Sequence, residues 1–302
     1  MEVTVLGCSS ATPTSSRCPS GQVLSISGHL YLIDCGEGTQ FQLRKLHINF
    51  MRIECIFITH SHGDHVFGLI GLLSTMSLLN RTTKLTIFCH PKLEEMLRPQ
   101  IAFFCENISF ELEFVSLRYD RPQVLQEVKT VYVKTIPLRH RIDTCGFLFR
   151  EQKKDPNIKS EAIFKYGLTI ADIVSIKNGH PYYDTMTGEE VDRTELVREA
   201  PEPKSFAYIS DTIYYPAIVD EIRGVSLLYH EATFMSDLSE LAAKTMHSTS
   251  RQAAQIAKMA EVKKLIIGHF SSRYSETDAL EAEAQEEFPD TTAVYDGFRI
   301  VF

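Results

Sequence analysis

Residues 58–65 read ITHSHGDH, and VFGL follows. His60, His62, Asp64 and His65 thus crowd into six positions directly behind an apolar run. Neutral imidazole and carboxylate are the side chains that hold zinc and similar divalent ions. His60 and His62 are two apart, so an extended backbone turns both the same way. Gly63 is expected to let the chain bend sharply. Asp64 and His65 then fall at the start of a helix, where a carboxylate is favoured and both can face a second ion. The spacing suits two neighbouring ions. Left without ion or solvent beside a core, such a cluster would cost several kcal/mol.

These four side chains cannot fill two coordination shells. The chain supplies three more candidates in a patterned way. His140 comes a few residues after TVYVKTI, Asp211 directly follows SFAYIS, and His269 ends KKLIIG. Each stands just beyond the C-terminal end of a strand-like run, where sites gather in α/β sheets.

The elements that must position them are legible from hydrophobic periodicity. MEVTVLG, VLSISG with HLYLIDCG, IECIFITH, KLTIFCH, TVYVKTI with CGFLFRE, SFAYIS, VSLLYHEAT and KKLIIGHF read as strands. Segment 39–48, the run from Val66, KLEEMLRPQ, SELAAKT and Gln252–Ala260 read as helices. Thr249 and Gln252 form a capping-box pattern, which places His247 at a helix entrance, a position that also suits phosphate oxygens. TTAVYDGFRIVF is expected to close the chain as a hairpin around Asp296-Gly297. Residues 151–204, with eight basic and eleven acidic residues, read as an inserted, solvent-facing excursion.

Composition narrows the class. The chain has 302 residues, 44% apolar and 23% charged, as in an ordinary globular α/β protein. Its net charge of −8 excludes a generally basic nucleic-acid coat, though not a local positive groove. Seven cysteines without a C-x-x-C pair read as buried free thiols of a reducing compartment. No signal peptide or membrane-spanning run is apparent, which points to the cytoplasm and to no membrane partner.

The sequence resembles the metallo-β-lactamase superfamily and, within it, the short form of the ribonuclease Z family of tRNA 3′-processing endonucleases. The matching stretches are VTVLGCSSATPTSSR, LIDCGEGTQ at 32–40, IFITHSHGDHVFGL, HRIDTCGF around His140, AYISDT, HEATF at 230–234, HST at 247–249 and IIGHFSSRY at 266–274. HxHxDH marks only the superfamily; DCGEGTQ, HEATF, HST and GHFSSRY are more specific.

The resemblance implies a four-layer αββα sandwich of two mixed sheets, as a single domain over residues 1–302 with the excursion in the place of the family's flexible arm. It implies that His60, His62 and His140 hold one ion, that Asp64, His65 and His269 hold another, and that Asp211 bridges them. The ions would be Zn2+, with Mn2+ also accepted. Asp34 would orient the ligands from behind. Asp64 would take the proton of the attacking water, Glu231 and His247 would be non-ligand catalytic groups, and Arg273 would contact substrate. The implied activity is cleavage of precursor tRNA 3′ of the discriminator base, leaving a 3′-hydroxyl, by a homodimer. In the arm-like stretch the family's Gly-Pro pair is missing, and Thr169, Ile170, Ala171 and Asp172 stand there instead. Two other readings compete. One is a phosphodiesterase of the same fold acting on other RNA or small diesters. The other is a metal-stabilised RNA-binding protein without catalysis.

Overall fold

The computed structural model describes residues 1–105, 107–125, 128 and 131–302. They form two compact units, Met1–Arg150 with Lys204–Phe302, and Glu151–Pro203. The first unit holds two mixed sheets. One runs in the order Arg299–Val301, Glu2–Gly7, Gly21–Ile26, His29–Ile33, Ile53–Phe57, Leu85–Cys89, Leu112–Ser116. Its pairings are antiparallel up to His29–Ile33 and parallel from there on. The other runs Thr291–Ala293, Leu265–Gly268, Leu227–Glu231, Ser205–Ile209, Cys145–Arg150, Tyr132–Pro137, with the first four strands parallel and the rest antiparallel.

Strand alternation assigns side chains to layers. In Ile53–Phe57 and its neighbours, Tyr31, Phe57 and Phe88 join Phe147, Phe149, Phe206 and Tyr208 of the other sheet in one core. Phe57 stacks on Phe88 at 4.8 Å and meets Phe149 edge-on at 5.2 Å. Leu32, Ile56 and Ile87 point the other way, onto Leu69, Leu72, Leu73 and Met76 of the helix Leu69–Leu78. On the far side, helices Ser250–Met259 and Asp278–Gln285 cover the second sheet. The layering is helix, sheet, sheet, helix, as the resemblance implied.

Two local readings need correction. The helix expected from Val66 is broken: Gly63–Val66 and Leu69–Leu78 are separate, because the Gly68 N–H turns aside to the Cys35 carbonyl at 2.9 Å. The terminal hairpin does not form. Thr291–Ala293 pairs in parallel with Leu265–Gly268, whereas Arg299–Val301 pairs with Glu2–Gly7 in the other sheet. Between them the Asp296 carboxylate accepts from Cys18 N at 2.7 Å and Gln42 Nε2 at 2.8 Å, so the turn is tied to the first sheet's loops. Among the described residues no helix is long and apolar enough to cross a membrane. All seven cysteines are free, five of them buried and Cys18 and Cys105 half-buried.

The unit Glu151–Pro203 has a small core of its own, built from Ala162, Leu168, Ile176, Tyr182, Leu196 and Val197. Thr169 and Asp172 cap each other reciprocally and start the helix Ile170–Lys177.

Candidate metal centre

The strand ends deliver the candidate residues to one place in the first unit. His60 lies three residues beyond Ile53–Phe57, Asp211 two beyond Ser205–Ile209, and His269 directly after Leu265–Gly268. His140 follows Tyr132–Pro137, and Asp64 and His65 sit in the short helix Gly63–Val66. Two donor sets result, His60, His62, His140 with Asp211, and Asp64, His65 with His269; a third grouping, Asp211, His247 and His269, overlaps them. In the first, His62 Nδ1 is 3.0 Å from His60 Nε2 and 3.3 Å from His140 Nε2. Asp211 Oδ2 is 3.6 and 3.8 Å from the same two Nε2 atoms. In the second, Asp64 Oδ2 stands 3.5 Å from both His65 Nε2 and His269 Nε2. Asp211 Oδ1 is 3.5 and 3.2 Å from those nitrogens. The two oxygens of Asp211 therefore belong to different sets.

Four imidazoles are fixed from behind by Nδ1, which leaves Nε2 for the centre. His65 Nδ1 donates to Asp34 Oδ2 at 2.8 Å, and His60 Nδ1 to Thr59 Oγ1 at 3.0 Å. Thr59 in turn donates to Asp34, which also accepts from Tyr208. His269 Nδ1 donates to Thr233 Oγ1 at 3.0 Å, and His140 Nδ1 to the Met246 carbonyl at 2.9 Å. These partners assign the tautomers. Asp34, Met246 and His269 have φ of 56°, 58° and 61°, as does Ala11 at 58°, whose N–H donates to Asp64 Oδ2 at 2.9 Å. Left-handed backbone in non-glycine residues costs on the order of 1–3 kcal/mol each and gathers at functional sites.

Three observations fit this set to divalent ions. His65 Nε2 and His269 Nε2 are buried with no hydrogen-bond partner among the described residues. The donor separations, 3.0–3.8 Å in one set and 3.2–3.5 Å in the other, match the edge of a tetrahedron about 3.3–3.6 Å long, set by zinc–ligand bonds of about 2.0–2.2 Å. The electrostatics agree. Burial, reinforced by the neighbouring rings, keeps His60, His62 and His140 below their usual pKa, in the neutral form that ligates. For His65 burial opposes charge, yet Asp34, Asp64 and Asp211 outweigh it and push the pKa up, so the centre attracts positive charge there. Burial also raises Asp64 and Asp211, but the imidazoles win and hold both carboxyls well below their usual range.

Gly63 stands where the extended chain of His62 turns into a helix, and it does so without a left-handed backbone. It opens the short helix, and a Cβ there would run into the Phe67 ring. Gly36 is the position where close approach decides, since a Cβ would meet the Asp64 carbonyl.

Beside the donor sets, Glu231 and His247 pair at 2.9 Å through Nδ1 of the ring. Glu231 is fully buried; its other contacts are Thr212 N at 3.1 Å, Thr233 N at 3.0 Å and Thr233 Oγ1 at 2.8 Å. His247 lines a cavity of ≈ 570 Å³ together with His62, Asp64, His140 and Asp211. His230, next to Glu231, is buried and takes no part in either set; its Nδ1 donates to the Glu231 carbonyl at 2.7 Å.

The sequence profile of the family described as "Anti-Pycsar protein Apyc1" matches residues 1–154. That match ends before Asp211, Glu231, His247 and His269. A ribonuclease Z from Phocaeicola vulgatus is 44% identical over 299 residues, covering 99% of this chain and 96% of that relative. The chain belongs to the ribonuclease Z family. A ribonuclease Z from Bacteroides thetaiotaomicron is 44% identical over 96% of this chain and 92% of its own. The crystal structure of human tRNase Z, short form, is similar at a TM-score of 0.71 with 26% identity, over 100% of this chain and 99% of that one. YhfI from Bacillus subtilis, a metallo-beta-lactamase fold protein, is 18% identical with a TM-score of 0.69 over 99% and 98% of the two chains, a likeness of fold alone.

The structure also places Arg273 and several residues that the sequence did not single out. Arg273, the expected substrate contact, donates through Nε to Ser271 Oγ at 3.1 Å, and its guanidinium sits 5.3 Å over the ring of Phe234, which lines the cavity. Thr59, Thr233 and the Met246 carbonyl, which orient imidazoles, went unnoticed. So did Glu283. Its buried carboxylate accepts from Ser236 N at 3.1 Å, from the Ser236 and Ser250 hydroxyls, and from Arg251 N at 3.3 Å. It thereby clasps both ends of the segment that carries Met246 and His247. Glu283→Gln turns one acceptor into a donor facing those hydroxyls. It is expected to cost about 1–3 kcal/mol in a urea melt and to lower activity several-fold; an unchanged melt would remove the clasp.

Proposed function

We propose that this protein is a metal-dependent endoribonuclease that cuts precursor tRNA 3′ of the discriminator base, removing the 3′ trailer and leaving a 3′-hydroxyl. The observation that carries this reading is Asp211, with one oxygen in each donor set and the Glu231–His247 pair in reach of the same cavity. His60, His62, His140 and Asp211 Oδ2 would hold one divalent ion. Asp64, His65, His269 and Asp211 Oδ1 would hold the other. The tetrahedral spacing favours Zn2+ over Mn2+. Two such ions make water nucleophilic at neutral pH and neutralise the charge that builds on a phosphodiester.

The chain's own residues account for the proton movements. Asp64 is ionised and takes the proton of the attacking water. His247 has Nδ1 committed to Glu231, so Nε2 remains to deliver a proton to the departing 3′-oxygen as the P–O3′ bond breaks. Asp34 acts on His65 directly and on His60 through Thr59, keeping both Nε2 atoms aimed. Arg273 would offer charge to a flanking phosphate.

The unit Glu151–Pro203 is read as the insert within an otherwise single catalytic domain and as the counterpart of the family's arm. The Thr169–Asp172 cap starts a helix where the family has Gly-Pro. Homodimerisation through the surface of helix Thr39–Lys45 would cover Phe41, which is 72% exposed. Free cysteines suit a cytoplasmic location. The small-diester alternative is not favoured, because the relatives that match over nearly the whole length are ribonucleases Z. The test is incubation of zinc-loaded protein with a trailer-bearing precursor tRNA. One cut after the discriminator base, with a 3′-hydroxyl on the tRNA, is expected. Intact precursor in the presence of two bound ions per chain would refute the proposal.

A further inference from the structure

Phe67 has a position that core packing does not explain. Its side chain is 74% exposed, although it directly follows the helix that carries Asp64 and His65. The ring is nevertheless held in place. It lies against Gly63, where any Cβ would collide with three of its atoms, and the Phe67 N–H bonds the Gly63 carbonyl at 2.9 Å. It lines the same cavity as His62, Asp64, His140, Asp211 and His247. The ring therefore packs against the Gly63 backbone on one side while most of it remains open to whatever enters the cavity.

We infer that Phe67 is a stacking platform for the base of one of the two nucleotides that flank the scissile phosphate. This rests on the reading of the centre as RNA-cleaving. A phosphodiester placed at the two donor sets brings its neighbouring bases to the cavity walls, and a phenyl ring there has no polar atom with which to choose among them. Stacking on an aromatic side chain is worth roughly 5- to 100-fold in affinity per base and tolerates every base, since each has a π-face. Phe67 thus selects for an unstacked, single-stranded end rather than for a sequence. Such a device suits an enzyme that must accept any base beside its cut.

The test pairs a protein change with an RNA change. Wild type, Phe67→Ala, Phe67→Leu and Phe67→Tyr are each given the intact precursor and two precursors made abasic, one at the discriminator position and one at the first trailer nucleotide. Phe67→Ala and Phe67→Leu are expected to raise KM for the intact precursor about 5- to 50-fold with a smaller change in kcat, and Phe67→Tyr to restore it. One of the two abasic precursors should cost wild type a similar factor and cost Phe67→Ala less than about 2-fold, because the interaction is already gone. Bound metal measured on each variant should equal wild type. Equal abasic losses in wild type and Phe67→Ala, or unchanged KM in both Ala and Leu variants, overturn the inference and leave the tRNA reading standing. If wild type cuts no precursor, both fall together.

Discussion

Asp211→Asn is expected to lower precursor cleavage by about 10²–10³-fold, the scale of a lost transition-state electrostatic contact, and, on the proposed two-ion reading, to reduce bound divalent metal to at most one ion per chain. The reason is the division of its oxygens. Oδ2 lies 3.6 and 3.8 Å from His60 and His140, and Oδ1 lies 3.5 and 3.2 Å from His65 and His269. An amide keeps the shape but offers one oxygen, so one set loses its carboxylate and gains an N–H aimed at ring nitrogens. It also removes a charge that the surrounding imidazoles hold ionised against the effect of burial. Metal analysis after gel filtration reads the stoichiometry directly. Chelation gives an independent readout, because ions bound only to the folded state stabilise it by about 4 kcal/mol at a thousandfold excess over Kd. EDTA should therefore lower the wild-type melting temperature more than that of Asp211→Asn. A variant that kept two ions and full activity would show that the bridge is not where the two sets meet.

The sequence made the donor atoms visible and, apart from Asp34, left their supports hidden. ITHSHGDH could be read because imidazole and carboxylate rarely crowd together without a ligand, and His140, Asp211 and His269 because strand ends are readable from periodicity. The sheets followed from the same alternation, which sends Phe57 to one core and Ile56 to the other. Backbone groups carry no residue identity. The Met246 carbonyl that fixes His140 and the Ala11 N–H that holds Asp64 were therefore invisible. So was the left-handed turn at His269, which tertiary contacts impose. Gly63 shows a second limit. A glycine signals freedom or closeness without saying which, and here it signals the ring of Phe67. The last strands show a third, since period-two alternation announces a strand but not its partner, and the half-buried Asp296 ties the turn to the first sheet's loops while the two halves of the expected hairpin go to different sheets.

The second large effect concerns the proton rather than the ions. His247→Ala is expected to lower kcat by about 10²–10⁴-fold, the range for a lost general acid, with zinc content unchanged. Burial of His247 opposes its charge, but the Glu231 carboxylate at 2.9 Å more than offsets this and raises the imidazole to about 9. The charge of His247 in turn holds Glu231 below its usual range despite burial. On the proposed mechanism the pair is imidazolium and carboxylate at neutral pH, and His247 would carry the proton that the departing 3′-oxygen needs. The sign follows: with Glu231 raising the ring's pKa and divalent ions in the donor sets lowering it, kcat should fall on the alkaline side as the ring loses its proton. Glu231→Gln keeps the shape and one oxygen for His247 but removes the charge and turns an N–H toward Thr233, so its basic limb should move to lower pH while the residual rate at low pH stays above that of His247→Ala. Bound ions pull the ring's pKa downward in both proteins, so the informative quantity is the shift between wild type and Glu231→Gln at equal zinc occupancy. A basic limb that stayed in place in Glu231→Gln would assign the departing proton to some other donor and leave His247 a spectator in the cavity wall.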